Sequence, residues 1–207
     1  MTPPDPSAPR RLPRRLAQLY AGLVVFAVSE ALILHAGLGV MPWDVLQQGL
    51  IKHLGLTMGT WSIIVGVSVL LLWIPLRQRP GIGTISNALV IGAVLDPALR
   101  AIPVPESLGW RTAYLLVGIV VNGIATAAYI GARLGPGPRD GLMTGLVRRT
   151  GASVRLVRTG IEVTVVTVGW LLGGNLGLGT VLFAVSIGPV VHVALPRLTV
   201  PGGSAIH

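Results

Sequence analysis

Two related stretches decide the fold: residues 135–141 read Gly-Pro-Gly-Pro-Arg-Asp-Gly, and residues 39–45 read Gly-Val-Met-Pro-Trp-Asp-Val. Each has a Pro two positions before an Asp, and an apolar run follows. A Pro in the first turn of a helix gives up an N–H that would have no partner there, and an Asp nearby can accept from the free amides. Each stretch therefore predicts a turn that opens a helix.

The two stretches lie 96 positions apart, and the same offset continues to match residues on both sides without a gap. The matches are mainly glycines and aliphatic residues, and they include Gly22 with Gly118, Gly49 with Gly145, Gly55 with Gly151, residues 81–84 with 177–180, and residues 91–92 with 187–188. A gapless run of this length favours duplication over chance, and internal repeats decide architecture. The chain is therefore predicted to be two copies of one unit.

The composition indicates an integral membrane protein. Of the 207 residues, 52% are hydrophobic and only 11% are charged, and the mean hydropathy is +0.75. There is no Cys, so disulfides and thiolate metal sites are excluded. The formal charge of +9 would favour nucleic-acid binding in a soluble protein. Because the arginines lie at the ends of apolar runs, orientation in a lipid bilayer explains them better, and no nucleic-acid partner is predicted.

Six apolar runs have the length of membrane spans, since ~30 Å of hydrocarbon needs about 20 helical residues. They cover residues 16–36, 58–76, 82–102, 112–132, 156–172 and 178–195. The helices that open with the two Pro-containing stretches, residues 42–54 and 138–149, are too short and too polar to span. They are expected to lie at the interface or to enter the protein as broken or re-entrant helices. A count of five spans is the alternative.

The arginines support six spans. If the N-terminus is cytoplasmic, the outer segments hold only Lys52, Arg100 and Arg111, and the other basic residues face the cytoplasm. This positive-inside bias predicts that both termini are cytoplasmic, in the inner membrane of a bacterium. Since three spans is an odd number, the second copy must be inverted relative to the first, so the two turns are expected to face opposite sides.

The predicted fold class is thus an all-α, polytopic transmembrane bundle of about six spans, arranged as two inverted three-span repeats. The predicted organisation is a disordered basic tail over residues 1–15, a first membrane repeat over 16–103, a second over 108–199, and a C-terminal tail over 200–207.

Three segments, residues 38–46, 81–84 and 134–143, resemble the YczE/YitT-like family of bacterial integral membrane proteins. The resemblance covers nearly the whole chain apart from the tails, and the string at 135–141 is a fairly specific marker. The chain is closer to the YczE branch than to YitT proteins, which usually carry a soluble C-terminal domain. The resemblance implies a polytopic membrane protein and leaves the activity open, because the family has no settled biochemical function.

Ionisable groups at membrane depth are costly, so each is a functional candidate. Asp44 and Asp140 lead, because the repeat places them at equivalent helix starts, and broken helices in inverted-repeat transporters turn their ends toward the substrate. The alternative is that each Asp only caps its helix. The predicted substrate or ion pathway comprises Pro42, Trp43, Asp44, Pro138, Arg139, Asp140, Glu30 and Asp96.

Other polar residues within the spans allow two interpretations. Glu30 and Asp96, together with His35, could relay protons near the outer side, or Asp96 and His35 could simply mark span ends. Glu162 lies one turn after Arg158, which predicts a structural ion pair. Asn122 is expected to make hydrogen bonds between helices.

The chain lacks the motifs of ATP-driven transport and of the commoner hydrolases. We therefore expect no enzyme activity, no catalytic residue, no cofactor and no metal. The leading hypothesis is a small-molecule secondary transporter that works by alternating access and is driven by ions or protons, with an unknown substrate. The alternative is a non-transporting accessory or scaffold protein, and self-association into a homo-oligomer is left open.

Overall fold

A computed structural model describes residues 8–200 of the chain, and side chains from residue 12 onward. Its regular secondary structure in this range consists of helices only, which confirms the all-α class. The eight helices are α1 (Ala8–Ala36), α2 (Pro42–Leu54), α3 (Met58–Trp73), α4 (Ile82–Ala101), α5 (Leu108–Gly131), α6 (Pro138–Thr150), α7 (Val154–Leu171) and α8 (Leu178–Leu198).

The structure differs from the prediction in the N-terminal tail. Residues 1–7 and 201–207 lie outside the described residues, but α1 begins at Ala8, so residues 8–15 of the predicted disordered tail are helical. The reason is tertiary: Arg15 is buried, and its guanidinium donates to the carbonyl oxygens of Ala132 and Arg133 at 2.7 and 2.6 Å. These bonds hold the first turns of α1 against the end of α5.

Local sequence explains where the helices start. Pro42 and Pro138 stand at the first turn of the two short helices, as predicted. Three longer helices begin after a hydroxyl side chain that accepts a backbone N–H, namely Thr57 before α3, Ser107 before α5 and Ser153 before α7. The short helices end at Gly55 and Gly151, whose φ angles of +71° and +69° favour glycine.

The helices repeat as the sequence does. The first residues of α6, α7 and α8 lie 96 positions after those of α2, α3 and α4. At the centre α1 and α5 pack antiparallel, with α4 on α1 and α8 on α5. Arg111 at the start of α5 donates to the carbonyl of Ala36 at 2.7 Å, which is the equivalent of the bond from Arg15 to Ala132. Equivalent residues therefore make equivalent contacts across the two halves.

Close approach of α1 and α5 depends on two equivalent glycines. A Cβ on Gly22 would lie 3.0 Å from the backbone N of Tyr129, and one on Gly118 would lie 2.7 Å from Cγ1 of Ile33. Any side chain at these positions would push the two helices apart. The glycines thus bring the middle of α1 and of α5 together, where the candidate site lies.

Four helices within residues 8–200 are long and apolar enough to cross a membrane, namely α1 (from Leu12), α4, α5 and α8. The pair α2 and α3 meets the same standard only when taken together, and it is bent by 113° at its break, which would give five spans. The prediction of six is therefore not confirmed. By itself α3 is only 16 residues long, and α7 carries Arg155, Arg158 and Glu162.

Candidate functional site

The candidate site lies where the first turn (residues 39–45) meets the second turn (residues 135–141). The guanidinium of Arg139 lies over the ring of Trp43, with its carbon 5.0 Å from the ring centroid, which is cation–π geometry. Trp43 and Arg139 occupy equivalent positions of the repeat. The two turns therefore touch each other through residues at matching positions.

The loops that lead into the two turns lie at opposite ends of the α1–α5 pair, because one follows α1 and the other follows α5. Each loop is bonded to the helix start of the other half: the N–H of Gly83 donates to the carbonyl of Leu134, and that of Gly179 donates to the carbonyl of Leu38, both at 2.8 Å. The expectation that the turns face opposite sides therefore needs a correction. The loops lie apart, but α2 and α6 begin inside the bundle, where their first turns meet.

Asp44 lies at the start of α2 beside Glu30 of α1. Both residues are 0% exposed, and none of their four carboxyl oxygens has a hydrogen-bond partner among the residues that the structure describes. The two carboxyl groups are near enough to bond to each other, but a bond between them needs a proton, since a carboxylate only accepts. The charge of Arg139 acts on both groups. Glu30 and Asp44 are therefore a buried pair of acids that can share one proton in a hydrogen bond.

Gln47 continues this polar cluster. It follows Asp44 by one helical turn, it is also 0% exposed, and both atoms of its side-chain amide lack a partner within residues 12–200. Buried polar groups in proteins are nearly always hydrogen-bonded, so three neighbouring residues without partners mark an unusual place in the fold.

Asp140, the equivalent of Asp44, differs because it has hydrogen-bond donors beside it. Its carboxyl group accepts from the hydroxyl of Tyr129 at 3.2 Å and faces the backbone N–H of Gly137. The capping interpretation thus fits Asp140, which bonds at the start of its own helix. It does not fit Asp44, because neither of its carboxyl oxygens has a hydrogen-bond partner among the described residues.

A cavity of about 150 Å³ opens at the meeting point of the two turns, and a second of about 90 Å³ lies beside it. Arg139 and Asp140 border both cavities. The polar side chains around the larger one are Asn122, Thr126, Arg139, Asp140, Arg158 and Glu162. The rest of its wall is mainly apolar and includes Phe26, Trp43 and Phe183. An apolar wall with a few convergent polar groups is typical of a small-molecule site.

The structure separates Asp96 from the other predicted site residues. Its carboxyl group accepts from the backbone N–H of Gly59 at 2.9 Å and from the hydroxyl of Thr57, so it ties α4 to the start of α3. His35 lies by the backbone of Ile102. The described hydrogen bonds do not join Glu30, His35 and Asp96 to one another, so the relay stays a prediction.

Two smaller predictions are confirmed. Arg158 and Glu162 form an ion pair at 3.0 Å, and this pair borders the larger cavity. Asn122 donates to the hydroxyl of Ser29 at 3.0 Å, which is a hydrogen bond between α5 and α1.

Sequence reasoning did not single out Tyr129 or Gln47. The signal for Gln47 was available, because it is three residues after Asp44 and so shares its helix face. Tyr129 carried no such signal. Its equivalent in the first half is Ile33, so the repeat itself gave no hint of a hydroxyl at that place.

Comparison with known proteins gives a family. Residues 13–196 match the family model described as "Family of unknown function (DUF6198)". The chain is 40% identical over 182 residues to an uncharacterized protein of Haemophilus influenzae, which covers 88% of this chain and 84% of the relative. It is 34% identical over 180 residues to the uncharacterized membrane protein YczE of Bacillus subtilis, and this alignment covers 86% of the chain and 84% of YczE. The resemblance to YczE-like proteins is thereby confirmed. No solved structure matches the chain.

Proposed function

This chain belongs to the family of unknown function DUF6198 and is a membrane protein with several apolar helices, and we propose that it is a secondary transporter that moves a small molecule together with protons. The observation that carries the proposal is the pair of buried acids. Glu30 and Asp44 adjoin each other without a donor from any described residue.

Burying such a pair costs free energy, so its presence indicates a function. An ionised carboxylate away from water is stabilised only by a counter-ion or by donors, and here Arg139 supplies charge without a hydrogen bond to either group. A proton on one acid gives the other acid a donor. Binding and release of that proton would change the charge next to the cavity, which is what coupling to a proton gradient needs.

The contacts between the halves support an inverted repeat. The central helices α1 and α5 are antiparallel, and each makes the same contacts to the other, from Gly22 and Gly118 to Arg15 and Arg111. A twofold axis that relates two antiparallel spans must lie across them, which places it in the plane of the membrane. In the proposed topology α3 and α7 complete two three-span repeats, and both termini are cytoplasmic.

Alternating access follows from this arrangement. Substrate and proton would bind at the meeting point of the two turns, and rocking of one half against the other would open the site to either side. The two arginine contacts lie at opposite ends of the α1–α5 pair. In the proposed cycle the Arg15 contact loosens when the site opens to one side, and the Arg111 contact loosens when it opens to the other.

The test is a proton-flux assay on purified protein in liposomes that contain a pH-sensitive dye, screened against a library of small metabolites. We expect a compound-dependent flux in the wild type that disappears in Glu30→Gln and in Asp44→Asn. Glu106→Gln is the matched control, because Glu106 is an exposed carboxylate outside the site. Gel filtration of each variant separates loss of transport from loss of folding.

The accessory role makes the opposite prediction. If no compound drives flux, and if Asp44→Asn still complements a deletion strain, then the buried acids have no part in the function. The proposal would then be abandoned in favour of a scaffold or assembly protein.

A further inference from the structure

A second site lies at the end of the bundle where α3, α5, α6 and α8 finish, and its larger cavity is bordered on one side by Gly135 and Pro136 of the second turn. We call it the basic groove and define it by five arginines: Arg77, Arg79, Arg133, Arg148 and Arg149. They border two cavities, one of about 580 Å³ and one of about 340 Å³, and Arg148 belongs to both. No Asp or Glu is among the described residues around either cavity.

The backbone of two of these arginines is unusual. Arg77 and Arg133 have φ angles of +52° and +54°, in the left-handed region that favours glycine. The equivalent residues of the other half are glycines in the same region, Gly173 at +90° and Gly37 at +61°. The two halves thus share a backbone shape, but each half has a long cationic side chain at one of these two positions and glycine at the other.

A bias of positive charge toward one side of the membrane does not require arginine at these two backbone positions. Orientation needs positive charge near the span ends, and any exposed position can supply it. Arginine at two strained positions that both face one groove indicates that these particular places matter. Residues in sparsely populated backbone regions cluster at ligand and functional sites.

The walls of the groove are amphipathic. Trp73, Ile130 and Leu195 form an apolar side of the larger cavity, and Thr144 and Thr199 add hydroxyls. Arg149 is held in place, since it donates to the carbonyl of Pro75 at 2.9 Å. The planar fork of arginine matches the oxygens of a phosphate, and an apolar wall beside it suits an acyl chain.

We propose that the basic groove binds an anionic phospholipid, with its phosphodiester among the arginines and its acyl chains along the apolar wall. Anionic lipids give the membrane surface its negative charge, and basic pockets between membrane helices hold their headgroups. The proposal is independent of transport, because none of the five arginines belongs to the cavity at the two turns.

The first test measures thermal unfolding in nanodiscs of phosphatidylcholine with increasing phosphatidylglycerol. We expect the wild type to gain several degrees, with saturation at a low lipid ratio, and native mass spectrometry to show retained phosphatidylglycerol. Arg148→Gln with Arg149→Gln should remove most of this gain. The control is Arg14→Gln with Arg155→Gln, which removes the same charge from two exposed residues outside the groove.

A sharper test uses Arg77→Gly, which copies Gly173 of the other half. Because glycine relaxes the left-handed backbone, the unfolding temperature in pure phosphatidylcholine should stay the same or rise, while the gain from phosphatidylglycerol should shrink. A merely structural role for Arg77 would lower both. This split keeps the proposal testable even if the double variant folds poorly.

Three results would overturn the proposal. An equal gain from phosphatidylcholine and phosphatidylglycerol would mean that the groove does not select charge. An equal loss in the Arg14 and Arg155 control would mean that only the overall charge counts. Full stabilisation by soluble glycerol 3-phosphate would mean that the groove takes a free phosphate ester and needs no lipid.

Discussion

The first and second turns have the same backbone plan and different chemistry. Both begin a 13-residue helix with Pro, and both place an Asp two residues later. Asp140 has a tyrosine hydroxyl as donor, whereas Asp44 has none among the described residues and adjoins Glu30 instead. One acid is hydrogen-bonded to its neighbours, and the other has only a second acid beside it.

The difference comes from the central helices. The residue equivalent to Glu30 is Thr126, and the residue equivalent to Tyr129 is Ile33. One half thus has a second acid at this place, and the other half has a hydroxyl donor. The two turns have the same backbone plan, and a few side chains give them different surroundings.

The largest expected effect is on transport. Asp44→Asn should reduce substrate-driven proton flux to the level of empty liposomes, because it removes one member of the acid pair. Asp140→Asn should retain measurable flux, since an amide oxygen can still accept from Tyr129. The liposome assay with both variants at equal protein density decides this. Equal loss in the two variants would contradict the separate roles.

The two turns also differ in what packs against them, which is a side chain in one case and backbone in the other. This difference predicts the next largest effect. A Cβ on Gly141 would overlap the ring of Trp73, and one on Gly169 would overlap the backbone of Leu46. Each Gly→Ala change should cost about 1–3 kcal/mol by overpacking, measured by SDS-induced unfolding. Trp73→Phe should relieve the first loss, because a smaller ring makes room. No truncation should relieve the second, because the obstacle is backbone.

The contacts of Arg15 and Arg111 should differ less in how much stability is lost when each is removed. Arg15→Gln removes buried bonds to the end of α5, and we expect a loss of about 2 kcal/mol, since bonds from a charged donor are worth more than neutral ones. Arg111→Gln removes the equivalent bonds in a more exposed place, and we expect about half that loss. Unfolding of both variants in the same detergent gives the comparison. A larger loss for Arg111 would refute it.

The smallest effect is expected at Tyr129. Tyr129→Phe removes the hydroxyl donor of Asp140, and hydrogen bonds between membrane helices are worth about 0.6 kcal/mol on average. Ile33→Val at the equivalent position of the first half controls for a small change in packing. A double variant with Asp140→Ala should lose little more than Asp140→Ala alone, because that change already removes the bond. Additive losses would show that the bond is not shared.

Local features of the fold were predictable from the sequence because they depend on neighbours along the chain. Pro42 and Pro138 start their helices as predicted, and the offset of the repeat fixes the starts of α6, α7 and α8. The number of spans was less predictable, because the short helix α3 and the charged helix α7 depend on partners that the sequence does not show.

The site was predictable in its residues more than in its contacts. Asp44 and Glu30 were chosen as costly charges, and the structure places them together. The repeat showed that Trp43 and Arg139 are equivalent, but equivalence does not say that two residues touch. The contacts of Asp96 were not predictable for a similar reason: Gly59 and Gly92 let α3 and α4 approach closely, and this brings the carboxylate to a backbone N–H.

The exchanged bonds from Gly83 to Leu134 and from Gly179 to Leu38 also bear on how the protein is made. Each half lacks a backbone partner until the other half is present, so the first half to leave the ribosome enters the membrane as an unfinished structure. The loop before α2 therefore lacks the bond from Gly179 until α8 has been made, and a truncated product that lacks α8 should be degraded even though most of its helices have inserted.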